Sequence, residues 1–108
     1  YQMNINLYIK NQPFLYIKDN IKTIEVSQYK GFIKTLKENQ NINLVNKNQT
    51  IQKTILKIKQ YNNLRQLLEN TKLNNVNPNL LTISQSLTYY QQYYSLDKLN
   101  SSFVAIYL

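Results

Sequence analysis

The chain has no cysteine, no histidine and only one glycine among its 108 residues. Without cysteine it forms no disulfides and no thiolate metal sites, and without histidine it lacks the commonest general base and metal ligand. A single glycine, Gly31, cannot build a phosphate-binding loop of the P-loop or dinucleotide type, because both need several glycines. The composition therefore excludes several common classes of catalytic and metal site.

Acidic residues are few and isolated. The five carboxylates, at positions 19, 25, 38, 69 and 97, form no pair of the kind that acid–base catalysis uses, and the serines have no base to activate them. We therefore expect a protein that is not an enzyme and that takes no cofactor, no metal and no small-molecule substrate.

Long apolar segments are also missing. The longest apolar run covers residues 103–108, whereas a membrane-spanning helix needs about 18 apolar residues or more. The first residues resemble neither a signal peptide nor an Arg-rich transit segment. We expect no membrane insertion.

Positive charge is abundant, since 13 Lys+Arg against 5 Asp+Glu give a formal net charge of +8. Such a field favours a polyanionic partner and speeds the encounter with it. Solubility alone is a second explanation, and an anionic membrane surface a third, weakened because the lysines do not follow one face of an amphipathic helix. Asn, Lys, Ile and Tyr make up 51 residues, a bias that indicates an AT-rich genome such as that of an organelle.

The N-terminal half predicts alternating helix and strand. Residues 1–10 have apolar positions near helical spacing and predict a short helix that ends before Pro13. Residues 23–26 alternate and predict a strand. Ser27 then resembles an N-cap for a helix over residues 29–36, whose apolar positions have helical periodicity. After it, residues 42–44 form a short alternating stretch, and residues 46–49 predict a polar turn.

The C-terminal half predicts mostly strands. Residues 50–61 predict a strand with lysines on its solvent side, and residues 64–68 fit either a strand or a helix. Residues 80–84 predict a strand that leads into a Ser-rich loop. A helical turn over 95–100 and a final buried strand over 103–107 complete the chain.

The order of these elements predicts an α+β fold of two small lobes. The first, residues 1–50, is a helix–strand–helix lobe. The second, residues 51–108, is a mostly antiparallel β lobe with a short helix.

Two groups of residues could contact a nucleic acid. The first is a set of tyrosines at the spacing of one helix face: Tyr89, Tyr90, Tyr93 and Tyr94. They could stack on unpaired bases or pack against neighbouring elements. The second is a set of basic residues: Lys57, Lys59 and Arg65. They could contact phosphates or simply face water. The residues themselves leave both alternatives open.

Two segments resemble the universal small-subunit ribosomal protein family eight. Leu81-Thr82-Ile83-Ser84-Gln85-Ser86 resembles the family's Ile-Ser-Thr-Ser segment. A short helix, two glycines and a closing strand follow there, and Lys98-Leu99-Asn100, Ser101-Ser102 and residues 103–108 follow here. Residues 24–38 resemble the family's strand and second helix. The likeness covers residues 20–42 and 80–108, but the family's Ser-Lys-Pro-Gly turn is missing and serines replace its paired glycines.

This resemblance implies a structural protein of the small subunit of a mitochondrial ribosome, in the matrix. Its partners would be neighbouring ribosomal proteins and central-domain helices of the small-subunit rRNA, which it would bind mostly through the C-terminal lobe of residues 51–108. Short hydroxyl and amide side chains of the Ser-rich loop would meet the shallow minor groove of the RNA. The expected RNA-binding residues are Ser84, Gln85, Ser86, Lys57, Lys59, Arg65, Lys98, Ser101 and Ser102.

Two other hypotheses stay open. The chain could be an accessory structural subunit of a mitochondrial membrane protein complex, since AT-rich organellar genomes also encode such subunits, and it would then bind protein rather than RNA. It could also be a fragment of a larger protein, as its start at Tyr1 suggests. Co-purification with membranes or with ribosomal particles separates the first alternative from the ribosomal hypothesis.

Overall fold

The computed structural model describes residues 5–108, and its elements confirm the predicted α+β class. In chain order they are β1 (Ile5–Tyr8), α1 (Asn11–Lys18), β2 (Ile24–Gln28), a 3₁₀ helix (Gly31–Thr35), β3 (Asn41–Asn46), β4 (Gln49–Thr54), β5 (Lys57–Tyr61), α2 (Leu64–Glu69), α3 (Leu73–Val76), α4 (Ile83–Gln91), α5 (Leu96–Leu99) and β6 (Phe103–Tyr107).

The strands form two three-stranded sheets. The first has the order β1-β3-β4, in which β1 runs parallel to β3 and β4 pairs antiparallel with β3. The second has the order β2-β6-β5, and both of its pairings are antiparallel, with Ala105 of β6 opposite Val26 and Lys59. The edge strands β2 and β5 therefore lie on opposite sides of β6.

The central strand β6 separates two hydrophobic cores. Phe103 and Ala105 belong to a core with residues of α2, α3 and α5, whereas Val104 and Ile106 belong to a core with residues of α1 and β3. All four side chains are fully buried. A strand covered on both faces has no polar alternation, which explains the long apolar run and confirms the predicted final strand.

Both cores draw residues from the two halves of the chain. Strand β2 pairs with β6 along its whole length, and Phe14 and Ile17 of α1 pack in the same core as Val104 and Ile106. The division into two domains, residues 1–50 and 51–108, stays a prediction. Both sheets and both cores contain residues from each side of that boundary.

The helix predicted over residues 1–10 is wrong in its described part. Ile5–Tyr8 is a strand, because it pairs in parallel with β3, and this tertiary pairing overrides the weak local periodicity. Residues 1–4 lie outside the described part of the chain. The helix starts at Asn11, and Pro13 lies in its first turn, where the missing N–H costs little. Proline thus marks the beginning of a helix rather than its end.

The predicted strand over residues 23–26 is confirmed, but the helix after it is not. Ser27 lies within β2 instead of capping a helix. A short 3₁₀ helix begins at Gly31, whose φ is +59°. This left-handed conformation suits glycine and interrupts a regular α-helix, so the predicted helix is reduced to a single short element.

The single strand predicted over residues 50–61 is wrong, because residues 55–56 separate β4 of the first sheet from β5 of the second. Three other predictions for the middle of the chain are confirmed. The alternating stretch at residues 42–44 lies in β3, and the polar turn at 46–49 joins β3 to β4. Lys57 and Lys59 are exposed on β5, as the solvent-facing lysines of a strand. The segment that fits either a helix or a strand is α2. It is capped by Asn63, whose side chain accepts a hydrogen bond from the backbone N–H of Gln66 at 2.8 Å.

Candidate functional site

A groove runs along the β2 edge of the second sheet. It lies between β1 and four tyrosines, two at the end of α4 and two shortly after it. It consists of an inner cavity of about 220 Å³ and an adjoining outer cavity of about 480 Å³. The two cavities share Leu7, Ser27, Tyr93 and Tyr94 as lining residues. We call it the tyrosine groove. The residues around its inner cavity come from β1, α1, β2, α3 and α4, and those around its outer cavity include the 3₁₀ helix and α5.

Four tyrosines of the groove form a layer in which each ring contacts another. Tyr89 meets Tyr90 edge to face at 5.1 Å between ring centres, and it meets Tyr93 at 5.5 Å. Tyr94 packs edge to face on the buried Phe103 at 5.3 Å. Tyr90 and Tyr94 also pack against the helical core, whereas Tyr93 remains 46% exposed. The inner rings therefore pack, as one alternative predicts, while stacking on a base stays a prediction for the exposed ring of Tyr93.

A lysine lies directly on this exposed ring. The Lys10 ammonium is 3.1 Å from the centre of the Tyr93 ring, within the distance of a cation–π contact. Lys10 lies between β1 and α1. It is the N-cap residue of α1, but its side chain makes no capping hydrogen bond. Lys30 and Lys98 line the outer cavity, so cations occur along the length of the groove.

Three buried side-chain oxygens have no hydrogen-bond partner among the described residues 5–108. One is the Tyr61 hydroxyl on β5, and the other two are acceptors in the groove. They are Oε2 of Glu25 and Oε1 of Gln28, both on β2. The other oxygen of Glu25 accepts a hydrogen bond from the Val26 backbone N–H at 3.1 Å. The Gln28 amide donates to Ser101 Oγ at 3.0 Å, which orients its oxygen. Unpaired buried acceptors cost free energy, and a ligand with N–H or O–H donors would satisfy them.

The inner end of the groove holds a buried lysine. Lys22 is only 5% exposed, and its ammonium donates to the backbone carbonyls of Ile24 and Val76 at 2.6 Å each. Removal from water lowers the pKa of Lys22, and the charge of Glu25 acts against that shift. Because its hydrogen bonds tie β2 to α3, we assign Lys22 a structural role at the wall of the groove.

The structure places only part of the expected RNA-binding set near the groove. Lys98 lines the outer cavity and Ser101 holds Gln28, while the backbone carbonyl of the neighbouring Ser102 accepts from Tyr29. Lys57 and Lys59 lie on β5, at the other edge of the sheet, and Arg65 is exposed on α2. The groove instead contains Lys10, Lys30 and the tyrosines.

The predicted strand over 80–84 and the loop at Ser84-Gln85-Ser86 are wrong, because these residues begin α4. Thr82 Oγ1 accepts from the Gln85 backbone N–H at 3.1 Å, and Gln85 Oε1 accepts from the Leu81 backbone N–H at 3.0 Å. This reciprocal pattern resembles a capping box. Ser86 is fully buried and donates to the Thr82 carbonyl, whereas Ser84 remains exposed.

The described residues contain neither a cluster of metal-ligating side chains nor a helix that could span a membrane. Across residues 5–108, no three His, Cys, Asp or Glu side chains gather where they could hold a metal ion. In the same part of the chain, each helix is too short or too polar to cross a membrane.

Comparison with known proteins shows the fold and no activity. No known family model matches the sequence, and no curated protein matches it. The crystal structure of hypothetical protein PH0355 is similar, with a TM-score of 0.84 and 22% identity over 97% of this chain and 96% of that one. The solution structure of protein PF0455 from Pyrococcus furiosus has a TM-score of 0.72 and 24% identity over 97% and 94%. Neither name states a function.

Proposed function

We propose that this protein binds single-stranded RNA in the tyrosine groove, as a binding protein and not as an enzyme. The observation that carries the proposal is the half-exposed Tyr93 ring with the Lys10 ammonium 3.1 Å from its centre. An exposed aromatic face stacks on an unpaired base of any sequence. A cation at the same place neutralises the phosphate that accompanies the base.

Binding would exchange one contact of this ring for another. A cation–π contact at an exposed site contributes about 0.5–1 kcal/mol, whereas a stacked base contributes about 1–3 kcal/mol. A base that takes the place of Lys10 on Tyr93 therefore gains more than the ring loses. The displaced ammonium stays on a flexible side chain and pairs with the phosphate, and release of counterions adds to the affinity.

The floor of the groove favours RNA over DNA. Gln28 presents an acceptor oxygen without a donor among the described residues, and Ser101 fixes the orientation of its amide. A ribose 2′-OH is a donor that deoxyribose lacks, and proteins use it to distinguish the two nucleic acids. The Ser27 side chain at the junction of the two cavities gives the ribose a second polar neighbour.

A comparison of two matched lysine pairs tests the proposal. The double variant Lys10→Ala/Lys98→Ala removes two charges from the groove, and Lys57→Ala/Lys59→Ala removes two from β5, so both reduce the overall field equally. Affinity for a fluorescently labelled RNA octamer is measured by anisotropy at several salt concentrations. We expect the groove pair to weaken binding and to flatten the slope of log K against log salt by about 1.4, because each lost phosphate contact on a single strand contributes about 0.7.

The β5 pair is expected to leave that slope unchanged. Equal losses in the two double variants would mean that the overall charge binds RNA without a site, and absence of binding by the unaltered protein would overturn the proposal. A DNA octamer of the same sequence is the control for the ribose, and we expect it to bind more weakly.

The ribosomal assignment stays a prediction, and it concerns central-domain rRNA helices rather than the single-stranded RNA proposed for the groove. Small-subunit rRNA, neighbouring ribosomal proteins and the mitochondrial matrix are what the family resemblance implies. Sedimentation of an organellar lysate tests it, since the chain should travel with small-subunit particles and leave them in high salt. Travel with the membrane fraction would favour the alternative of an accessory subunit of a mitochondrial membrane complex.

A further inference from the structure

The inner cavity is lined by a carboxylate of which only one oxygen accepts a hydrogen bond among residues 5–108. Glu25 lies on the edge strand β2 and lines the inner cavity together with Tyr89 and Tyr90. Its Oε1 accepts from the Val26 backbone, and its Oε2 is buried without a donor among residues 5–108. The protein thus holds a carboxylate oxygen, shielded from bulk water, beside the rings on which a base would stack.

The chemistry of this oxygen distinguishes among the four bases. A carboxylate only accepts hydrogen bonds. Guanine offers two adjacent donors on its pairing edge, the N1–H and the N2 amino group, which match the two oxygens of a carboxylate. Adenine and cytosine offer one amino group beside an acceptor nitrogen. Uracil offers a single N–H between two carbonyl oxygens, which a carboxylate repels.

We propose that Glu25 makes the tyrosine groove selective for guanine. The base enters the inner cavity, stacks on the outer tyrosines and donates its N1–H and N2 amino hydrogens to the Glu25 carboxylate. This selectivity rests on the proposed RNA binding and adds to it the identity of one base.

The tyrosines next to Glu25 are placed to close over such a base. Burial raises the pKa of Tyr89, Tyr90 and Tyr94, and the negative charge of Glu25 adds to each shift. The three hydroxyls therefore lie within electrostatic range of the carboxylate. Because Oε2 of Glu25 is buried, a base edge reaches it only when a neighbouring side chain such as the partly buried Tyr89 moves.

The test uses uridine octamers in which one central position is guanosine, inosine, adenosine, cytidine or uridine. Inosine is the informative probe, since it keeps the N1–H of guanine and lacks the N2 amino group. We expect the guanosine octamer to bind about tenfold more tightly than the all-uridine octamer, because a bidentate contact to a base discriminates by about 1–3 kcal/mol. Inosine should fall between them.

The matched variants are Glu25→Gln and Glu38→Gln, which make the same chemical change in the groove and at an exposed turn. Glu25→Gln should reduce the preference for guanosine to about twofold or less while uridine affinity stays or rises, because a negative charge is lost. Glu38→Gln should keep the preference. Thermal unfolding of both variants, followed by circular dichroism, verifies that they fold.

Equal binding of all five octamers by the unaltered protein, or a guanosine preference that survives in Glu25→Gln, would overturn the inference while leaving RNA binding intact. If no octamer binds, the proposed function itself fails. If Glu25→Gln does not fold, the comparison of guanosine with inosine on the unaltered protein still decides, since equal affinities there contradict a contact to the N2 amino group.

Discussion

The two edges of the second sheet have similar compositions and different shapes. At the β5 edge, Lys57 lies 5.3 Å from the centre of the Tyr107 ring and Lys59 lies 5.5 Å from that of Tyr61. At the β2 edge, Lys10 lies over Tyr93. Tyr61 is only 6% exposed, whereas Tyr93 is 46% exposed and lines both cavities. A lysine beside a tyrosine therefore occurs at both edges, and Lys57 and Lys59 stay predicted phosphate contacts. A concave surface with a half-exposed aromatic ring, on which the Lys10 ammonium lies, distinguishes the β2 edge.

The largest loss of RNA affinity at the β2 edge is expected when the Tyr93 ring is removed. Tyr93→Ala should weaken binding of an RNA octamer by about tenfold to a hundredfold, because one stacked base contributes about 1–3 kcal/mol. Tyr93→Phe keeps the aromatic face and should bind within about twofold of the original. Anisotropy titrations measure both, with Gln92→Ala as the control at the neighbouring exposed position. An unchanged affinity of Tyr93→Ala would remove the distinction between the two edges.

The serines at the start of α4 test whether RNA contacts extend beyond the groove. Ser86→Leu should destabilise the fold by about 1–3 kcal/mol, because Ser86 is fully buried and a larger side chain overpacks its site. Ser84→Leu, at an exposed position of the same helix, should leave both stability and RNA affinity nearly unchanged. Urea unfolding and anisotropy measure the two quantities. Loss of affinity in a stably folded Ser84→Leu would restore the predicted serine contact and enlarge the site.

A smaller effect comes from the packed part of the tyrosine layer. Burial raises the pKa of Tyr90 well above 10.0, with the charge of Glu25 as the next cause. Above pH 10.0 the unfolded chain loses this proton while the folded protein keeps it, so stability falls as pH rises, by up to about 1.4 kcal/mol per pH unit. Tyr90→Phe should reduce this slope.

Urea unfolding between neutral pH and the alkaline range measures the slope for both proteins. Lys22 has a lowered pKa and acts in the opposite direction, since its contribution to stability rises with pH towards 10.5, but both proteins contain it. An identical alkaline slope in the two proteins would mean that Tyr90 does not titrate as a buried group.

The fold class could be predicted from the sequence, and several elements were. Residues with strong, simple patterns were predicted correctly, such as the strand that contains Val26 and the apolar strand β6. The strand β1 was missed because only its pairing with β3 makes it a strand. The start of α4 has a local signal, since Thr82 and Gln85 have the spacing of a capping box. The family resemblance instead predicts a serine loop there.

The candidate site could be predicted only in part. The spacing of Tyr89 and Tyr93 placed them on one helix face, but packing and stacking could not be separated without knowing where Phe103 lies. The sequence does not identify Lys10 or Glu25 as site residues. Nothing local predicts that a lysine reaches a ring 83 positions away or that a carboxylate has one unpaired oxygen. The groove comes from long-range pairing of β1 with β3 and of β2 with β6.

Mapping of the bound RNA by nuclear magnetic resonance tests the central claim most directly. Backbone amide signals of the ¹⁵N-labelled protein are followed while a uridine octamer with one guanosine is added. The account predicts that the largest shifts occur at Lys10, at Glu25 and Ser27 of β2, and at Tyr89 and Tyr93, with small shifts along β5. Large shifts at Lys57 and Lys59 with an unchanged β2 edge would contradict it, since RNA would then bind outside the tyrosine groove.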